Sequence, residues 1–307
     1  MNRYECDRML VAVLELGSFA AAARRMGVSA ATASKMIARL ETELGVQLIK
    51  RTTRALSVTE AGQTYFEGVR RLLESLDELD AAVTAGTVEP TGRLRISVPH
   101  TFGVRWLVPS LNAFAAHYER ISLDVTFSDD AVNLVQEGYD AAVRIGRLAD
   151  STLIARRLTS SRDWLVAAPA YLQARGTPQT PADLAAHDCI IDANFRDPYI
   201  WGFEAGEHTP AIRVAVESRL SFSNAEAVLD AACAELGIAR IPSFVAAASV
   251  ASGDLVRLLP EWTSPGTGVY VLHPAGQRPP RKVRLLIDWL VDHFDDPPSW
   301  ETGHAGP

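Results

Sequence analysis

The sequence predicts a multidomain α+β chain: a small helical head ending in a β-hairpin, one long helix, and a C-terminal α/β body of two lobes. Three observations carry this. Apolar stripes at helical spacing lie on either side of glycine turns within residues 6–44. An apolar seam stepping by four and three runs from Tyr65 to Val83. Beyond Gly92, short strand-like runs alternate with helical ones, the order of βαβ units. The 307 residues, 48% hydrophobic and 22% charged, have the composition of a globular protein, not of a disordered or disulfide-stapled one. At roughly 100–200 residues per domain, that length holds two or three cores.

No apolar run approaches the ~18–20 residues that cross a bilayer, so no membrane partner is expected. The opening MNRYECDRML carries acids and lacks the basic-then-apolar order of a secretory signal. Cys6, Cys189 and Cys233 are odd in number and far apart, which fits a reducing, cytoplasmic location. The formal charge of −7 argues against a nucleic-acid partner until it is mapped: residues 1–62 hold nine Lys/Arg against six Asp/Glu. A head at +3 is thus joined to a body at −10.

In the head, Met9, Leu10, Val13, Leu14 and Leu16 form the first stripe, and Gly17 ends that helix. Ser18 is placed to cap a second helix, Phe19–Met26, and Ser29 a third, from Ala30 to about Leu44, after the Gly27-Val28 turn. Ala33, Ile37, Leu40 and Leu44 make the third helix's buried stripe, which leaves Thr32, Ser34, Lys35 and Arg39 largely off it. Two short helices around a glycine turn, the second with a polar outer face, read as a helix-turn-helix whose second helix fits a major groove. VQLIK and ALSV then pair as a wing around Arg51-Thr52-Thr53-Arg54, a tip able to donate to phosphates or reach a minor groove. The expected DNA-binding residues are Ser29, Ala30, Ala31, Thr32, Ser34, Lys35, Arg39, Arg51, Thr53 and Arg54.

Gly17-Ser18-Phe19, Ala22-Ala23, Gly27-Val28-Ser29, Ser34, Ile37, Leu40-Glu41, Leu44-Gly45, Leu48, Arg51-Thr52-Thr53-Arg54 and Thr59-Glu60-Ala61-Gly62 closely resemble the N-terminal signature of LysR-type transcriptional regulators. The match runs without a gap through about 60 residues. The family's usual Gln or Pro near the start of the recognition helix is replaced by Ala30-Ala31. Their methyls predict apolar base contacts, for instance with thymine methyl groups.

Thr59 can cap the next helix, with Ser57 and Glu60 as an alternative capping-box pair. Its seam of Tyr65, Val69, Leu72, Leu76, Leu79 and Val83 is narrow, and the helix spans roughly 40 Å at ~1.5 Å per residue. That outruns the head, so the expected partner is a second copy of the chain. The resemblance likewise makes this linker helix the dimerisation element. Residues 85–92 break every period and form a hinge.

The body predicts strands at RLRISV, ISLDVTF, DAAVRIG, DWLVAA, CIIDA, IRVAV, GIARIP and Val269–His273. Helices are expected at Val104–Tyr118, Val132–Glu137, near Ala170–Arg175, from about Asn224 to Leu236, and after Pro279-Pro280. The order implies a parallel sheet covered by helices. Ser128-Asp129, the run from Glu137 to Gly146, Ala168-Pro169-Ala170-Tyr171-Leu172 and Gly237-Ile238 resemble the LysR effector domain, a two-lobed type 2 periplasmic-binding-like fold. The expected divisions are therefore a winged helix-turn-helix over 1–58, linker helix and hinge over 59–91, effector domain over 92–295, and a flexible tail over 296–307.

In open α/β sheets ligands sit outside the carboxyl ends of strands. That places the candidate effector site at Pro99, His100, Thr101, Phe102, Ser128, Phe222, Ser223 and Asn224, with Trp201 as a further wall. Two helix N-termini facing one cleft favour an anion, so a small organic acid is the expected inducer. Arg144 and Arg147 read as structural or interfacial. His187-Asp188-Cys189 lacks converging partners for a metal or a catalytic set, Gly266-Thr267-Gly268 has no following helix, and GxSxG is absent. No catalytic residue, metal or cofactor is expected. A solute-binding component or an enzyme on the same body are the competing readings, and residues 1–62 count against both. The resemblance adds a homodimer, a tetramer of two such dimers, and RNA polymerase as partners.

Overall fold

The computed structural model describes residues 2–51, 56–83, 90–146, 153–204, 212–262, 266–275 and 279–302; for residues 51, 74, 75, 77, 78 and 80–83 it describes the backbone alone. The chain divides into two units, Met1–Glu89 and Pro90–Pro307.

The first unit packs three helices, α1 (Arg3–Leu16), α2 (Phe19–Arg25) and α3 (Ala30–Leu44), around Met9, Leu10, Val13, Ala22, Ala33, Ile37 and Leu40. Their ends are set by chemistry already visible in the sequence. Asn2 forms a capping box with Glu5, Ser18 and Ser29 accept N–H groups at the starts of α2 and α3, and Gly17 and Gly45 close α1 and α3 in the left-handed region. Met36 joins the buried face, a position the four-residue stripe leaves out.

Strands β1 (Ile49–Arg51) and β2 (Leu56–Val58) pair antiparallel, Ile49 opposite Val58. Glu41 anchors this wing by accepting the Leu48 and Ile49 N–H groups at 2.8 and 3.0 Å. α4 (Glu60–Val83) starts at Thr59, whose Oγ1 accepts the Gly62 N–H at 2.9 Å and donates to the Leu48 carbonyl. Gly62 is required there, because a Cβ would stand 2.1 Å from the Leu48 oxygen.

The second unit holds two five-stranded sheets. Lobe I contains β3 (Gly92–Val98), α5 (His100–Phe102), α6 (Val108–His117), β4 (Ile121–Phe127), β5 (Ala141–Gly146) and β6 (Leu153–Ser161). Lobe II follows with β7 (Asp163–Ala167), α7 (Pro169–Arg175), a 3-10 turn Pro181–Ala186, β8 (Cys189–Asp192), β9 (Ile200–Phe203), β10 (Ile212–Ala215), β11 (Leu220–Phe222), α8 (Ala225–Cys233), β12 (Ile238–Pro242), α9 (Ser243–Ser252) and β13 (Val256–Leu258). The chain returns to lobe I through β14 (Thr267–Pro274) and α10 (Arg281–His293), and ends in α11 (Ser299–Thr302). The strand orders are β4-β3-β5-β14-β6 and β11-β8-β12-β7-β13, with β9 and β10 a separate hairpin.

Both sheets are mixed, which corrects the expectation of a parallel one. β3, β4 and β5 are parallel, as are β8, β11 and β12, but β14 and β7 run against their neighbours. Those antiparallel strands belong to the crossing connections, and strand identity alone does not reveal direction. The helix expected at Val132–Glu137 is a single turn. Asn133 and Glu137 close it on themselves, the Asn133 N–H donating to Glu137 Oε1 at 2.8 Å, and Gly138 ends it at φ 71°. The helix expected from Val104 begins earlier, at His100, and widens to π geometry over Gly103–Leu107 just before Pro109. A proline there removes a donor and crowds the carbonyl four residues back, and the wider turn accommodates it.

The expected flexible tail is contradicted over residues 295–302. The Asp295 carbonyl accepts from Thr159 Oγ1 at 2.7 Å, and Asp296 Oδ1 accepts from Ser160 Oγ at 2.7 Å. Trp300 is only 7% exposed, with its ring 4.4 Å from Trp106, 6.0 Å from Phe102 and 6.1 Å from Phe244. One tryptophan, rather than average apolar content, anchors the segment. Residues 303–307 lie outside the described residues.

Candidate nucleic-acid interface and effector cleft

The first turns of α3 face outward. Ser29, Ala30, Ala31, Lys35 and Arg39 are exposed and Thr32 and Ser34 half-buried, while Ala33, Met36, Ile37 and Leu40 seal the core beneath. Ser29 Oγ spends its acceptor on the Thr32 N–H at 3.1 Å and sits 2.8 Å from Thr32 Oγ1, so this pair shapes the helix start. Arg39 leans along the helix onto Glu43, Nε to Oε1 2.8 Å, and that contact holds the Glu43 carboxyl below its ordinary range. Lys35, one turn earlier, has no ion partner among the described residues. The helix therefore presents two methyls, hydroxyls and an exposed lysine, a set suited to base edges and phosphate. Arg51 ends β1 with its side chain undescribed, and Thr53 and Arg54 lie outside the described residues.

The apolar seam of α4 divides. Tyr65 and Val69 serve the head: the Tyr65 hydroxyl accepts from Arg3 Nη2 and donates to Asp7 Oδ1, both at 2.7 Å, and Val69 is buried. Leu72, Leu76 and Leu79 are 70, 41 and 59% exposed, three leucines on one face of a helix that has run past its own core. The Val83 side chain is outside the described residues.

In the body, several of the expected effector residues are buried or already hydrogen-bonded. Phe102 is fully buried, packed on Phe244, Phe294 and Trp300, and Trp201 is 1% exposed with its Nε1 donating to the Pro198 carbonyl at 3.0 Å. Both are core residues, because their strand-end position says nothing of which way the rings turn. Pro99 is buried and precedes α5; Thr101 lies inside that helix and does not cap it. Exposed His100 places its ring 6.3 Å from Phe127. Ser128 Oγ accepts the Asp130 N–H at 3.1 Å, Phe222 is half-buried, and the exposed Ser223 accepts Asn194 Nδ2 on its carbonyl at 3.0 Å.

Both helix ends invoked for an anion are already occupied. The His100 N–H donates to Asp129 Oδ1 at 3.1 Å. The N–H groups of Glu226 and Ala227 donate to Asn224 Oδ1 at 2.9 and 3.2 Å. Asn224 is a cap rather than a free contact.

Other residues tie the lobes together. Arg105 grips Glu226 with two 2.6 Å hydrogen bonds, Nε to Oε1 and Nη2 to Oε2, and Trp106 Nε1 donates to the Phe244 carbonyl at 3.3 Å. Arg144 is structural, as expected: Nη2 donates to Ser97 Oγ at 2.8 Å and to the Asp130 carbonyl at 3.1 Å. Arg147 is outside the described residues. Cys189 is buried, and burial pushes its thiol up to about 12, so it stays protonated and inert. The described residues contain no group of three His, Cys, Asp or Glu side chains able to hold a metal, and no helix long and apolar enough to cross a membrane.

Comparison with known proteins decides the family. Residues 8–63 match the bacterial regulatory helix-turn-helix protein model of the lysR family, and residues 87–295 match the LysR substrate binding domain. The chain belongs to the LysR family. Among relatives of this LysR-type regulator, an uncharacterised HTH-type transcriptional regulator of Haemophilus influenzae is 34% identical over 283 residues, covering 92% of this chain and 98% of the relative. An HTH-type transcriptional repressor of Pseudomonas aeruginosa is 35% identical over 304 residues, covering 97 and 94%. The solved structure of CrgA, a LysR-type transcriptional regulator from Neisseria meningitidis, is similar at 30% identity and a TM-score of 0.60, covering 94% of this chain and 97% of CrgA. The protein is thus a DNA-binding transcriptional regulator with an effector-binding domain, and not an enzyme. LysR regulators bind DNA and small-molecule effectors and form oligomers.

Proposed function

We propose that the Ser29–Arg39 face of α3 enters a major groove of operator DNA, with Arg51, Thr53 and Arg54 of the wing on the flanking phosphates. The observation that carries this is the outward row Ser29, Ala30, Ala31 and Lys35 over a closed core. Leu72, Leu76 and Leu79 pair with the same face of a second copy, so that two heads read a pseudo-palindrome; two such dimers form the tetramer, in the cytoplasm and in contact with RNA polymerase. A small organic acid bound between the lobes is the inducer. It acts only through different affinities for the two arrangements of the assembly.

Duplex affinity measured against salt tests the DNA contacts. Each phosphate contact steepens the log–log slope by about 0.9. Arg51→Ala or Arg54→Ala in a dimer, losing one contact per head, should flatten the slope by about 2 and weaken all duplexes alike. An unchanged slope refutes the phosphate role.

A further inference from the structure

Arg240 is the third residue of the five-residue strand β12, in an otherwise apolar run, and is 8% exposed. A buried guanidinium ordinarily spends its five donors on acceptors, since leaving them unmade costs far more than a bond gains. The Arg240 guanidinium makes no hydrogen bond among the described residues, and its Nε is buried without an acceptor. The nearest carboxylate oxygen, Asp163 Oδ2, stands 4.0 Å from Nε, outside hydrogen-bond range. The same body shows what a closed structural pair looks like: Arg105 and Glu226 meet through two bonds of 2.6 Å. Arg240 is built differently. Its guanidinium lies over the Phe195 ring at 4.1 Å from the centroid and 5.6 Å from that of Trp201, so aromatic faces fix its plane and leave its edge unspent.

In the fold it lies one residue beyond the Ala239–Ile190 pair that joins β12 to β8, close to where β8 ends at Asp192. Phe195 follows the end of β8, and Asp192, which closes β8, couples electrostatically both to Arg240 and to Asp129 at the end of β4 in lobe I. We propose that Arg240 is the anchor for the carboxylate of the effector, held edge-on by the guanidinium with Phe195 as an apolar wall. This deepens the organic-acid reading and rests on it, replacing the two helix ends, which Asp129 and Asn224 already fill. A planar, two-oxygen anion matches the guanidinium fork. Asp163 and Asp192 set a threshold against weakly held anions, and so favour a ligand with apolar bulk to bury beside Phe195.

The test uses the full chain and defined probes: formate, acetate, benzoate and salicylate to 50 mM at constant ionic strength, with acetamide and benzamide as neutral counterparts. Thermal shift and calorimetric titration should show the aromatic carboxylates binding the wild type. Arg240→Gln should weaken that binding by about tenfold to a hundredfold, the range of a lost charged hydrogen bond. Arg240→Lys, which keeps the charge but not the fork, should retain part of it. If Arg240→Gln proves unstable because Asp163 loses its ion pair with Arg240, the double variant Asp163→Asn/Arg240→Gln removes both charges and should be equally unresponsive. Carboxylates that bind wild type and Arg240→Gln alike would overturn the anchor while leaving the organic-acid reading intact. A wild type answering only to the amides, or to no probe, overturns both.

Discussion

Trp300→Ala is the sharpest test of the described C-terminal segment. The ring is 7% exposed and touches Phe102 and Trp106 of lobe I and Phe244 of lobe II. Its Nε1 donates to Ser243 Oγ at 3.2 Å, and that hydroxyl donates in turn to Glu301 Oε1 at 2.7 Å. Truncating a buried Trp to Ala costs about 3–5 kcal/mol through lost transfer energy and the cavity left behind. For a unit of this size, about 2–4 °C of Tm accompany each kcal/mol. The body's melting transition should therefore fall by about 6–20 °C in differential scanning calorimetry of the full chain. Ending the chain after Phe294 should produce a loss at least as large, because it also removes the Asp295 and Asp296 contacts with Thr159 and Ser160. The double variant with Ser243→Ala should be less destabilised than the sum of its parts, since the two residues share a bond. A Trp300→Ala loss under about 1 kcal/mol, the scale of an exposed side chain, would show that the segment does not dock.

Three further outcomes follow from single contacts. Burial raises the Asp163 carboxyl from 3.8 to about 6, so its proton favours the folded state below pH 4 and this contribution is lost as pH rises through 6. Wild-type stability measured against Asp163→Asn by urea unfolding should therefore fall by about 3 kcal/mol between pH 4 and 7, at 1.36 kcal/mol per unit; a flat difference contradicts the burial argument. Gly62→Ala drives a methyl into the Leu48 carbonyl and should cost the head about 1–3 kcal/mol by overpacking, read as a lower midpoint in the same denaturant. Ala31→Glu puts a carboxylate on the outward face of α3 without touching the core; duplex affinity should drop more than about tenfold with head stability within about 0.5 kcal/mol, and unchanged affinity would remove that face from the interface.

The head was legible in the sequence because its information is local. Caps at Ser18, Ser29 and Thr59, the stop at Gly17, and a 3.6-residue stripe each act within one turn of chain, and each is where the sequence places it. The body was legible as alternation but not as direction. β7 and β14 run against their neighbours because the chain crosses between sheets there, a property of the route and not of the strand. α9 escaped for a related reason: SFVAAASVAS is small and apolar all round, with no stripe to detect. Strand-end position named candidate effector residues but not their rotamers: Phe102 and Trp201 turn into the core, and Arg240, the one charge in GIARIP, lies outside that set.

The ties between the lobes constrain how an effector can act. Arg105–Glu226, Trp106 to the Phe244 carbonyl, and the Trp300 ring against Phe102, Trp106 and Phe244 all join α5–α6 to α8 and α9. The buried aromatic contacts are the costly ones to break, whereas Arg105 and Glu226 are each about one-third exposed and their pair is worth correspondingly less. If the proposed effector closes the lobes, rotation about the aromatic cluster with loss of the Arg105–Glu226 pair breaks the fewest buried contacts. Arg105→Ala should then leave the melting temperature nearly unchanged yet alter how far effector binding moves the lobes, whereas Trp300→Ala removes the pivot itself. Spin-label distances between the lobes, with and without a bound carboxylate, separate the two. Equal movement in wild type and Arg105→Ala would place the resistance to closure in the aromatic cluster alone.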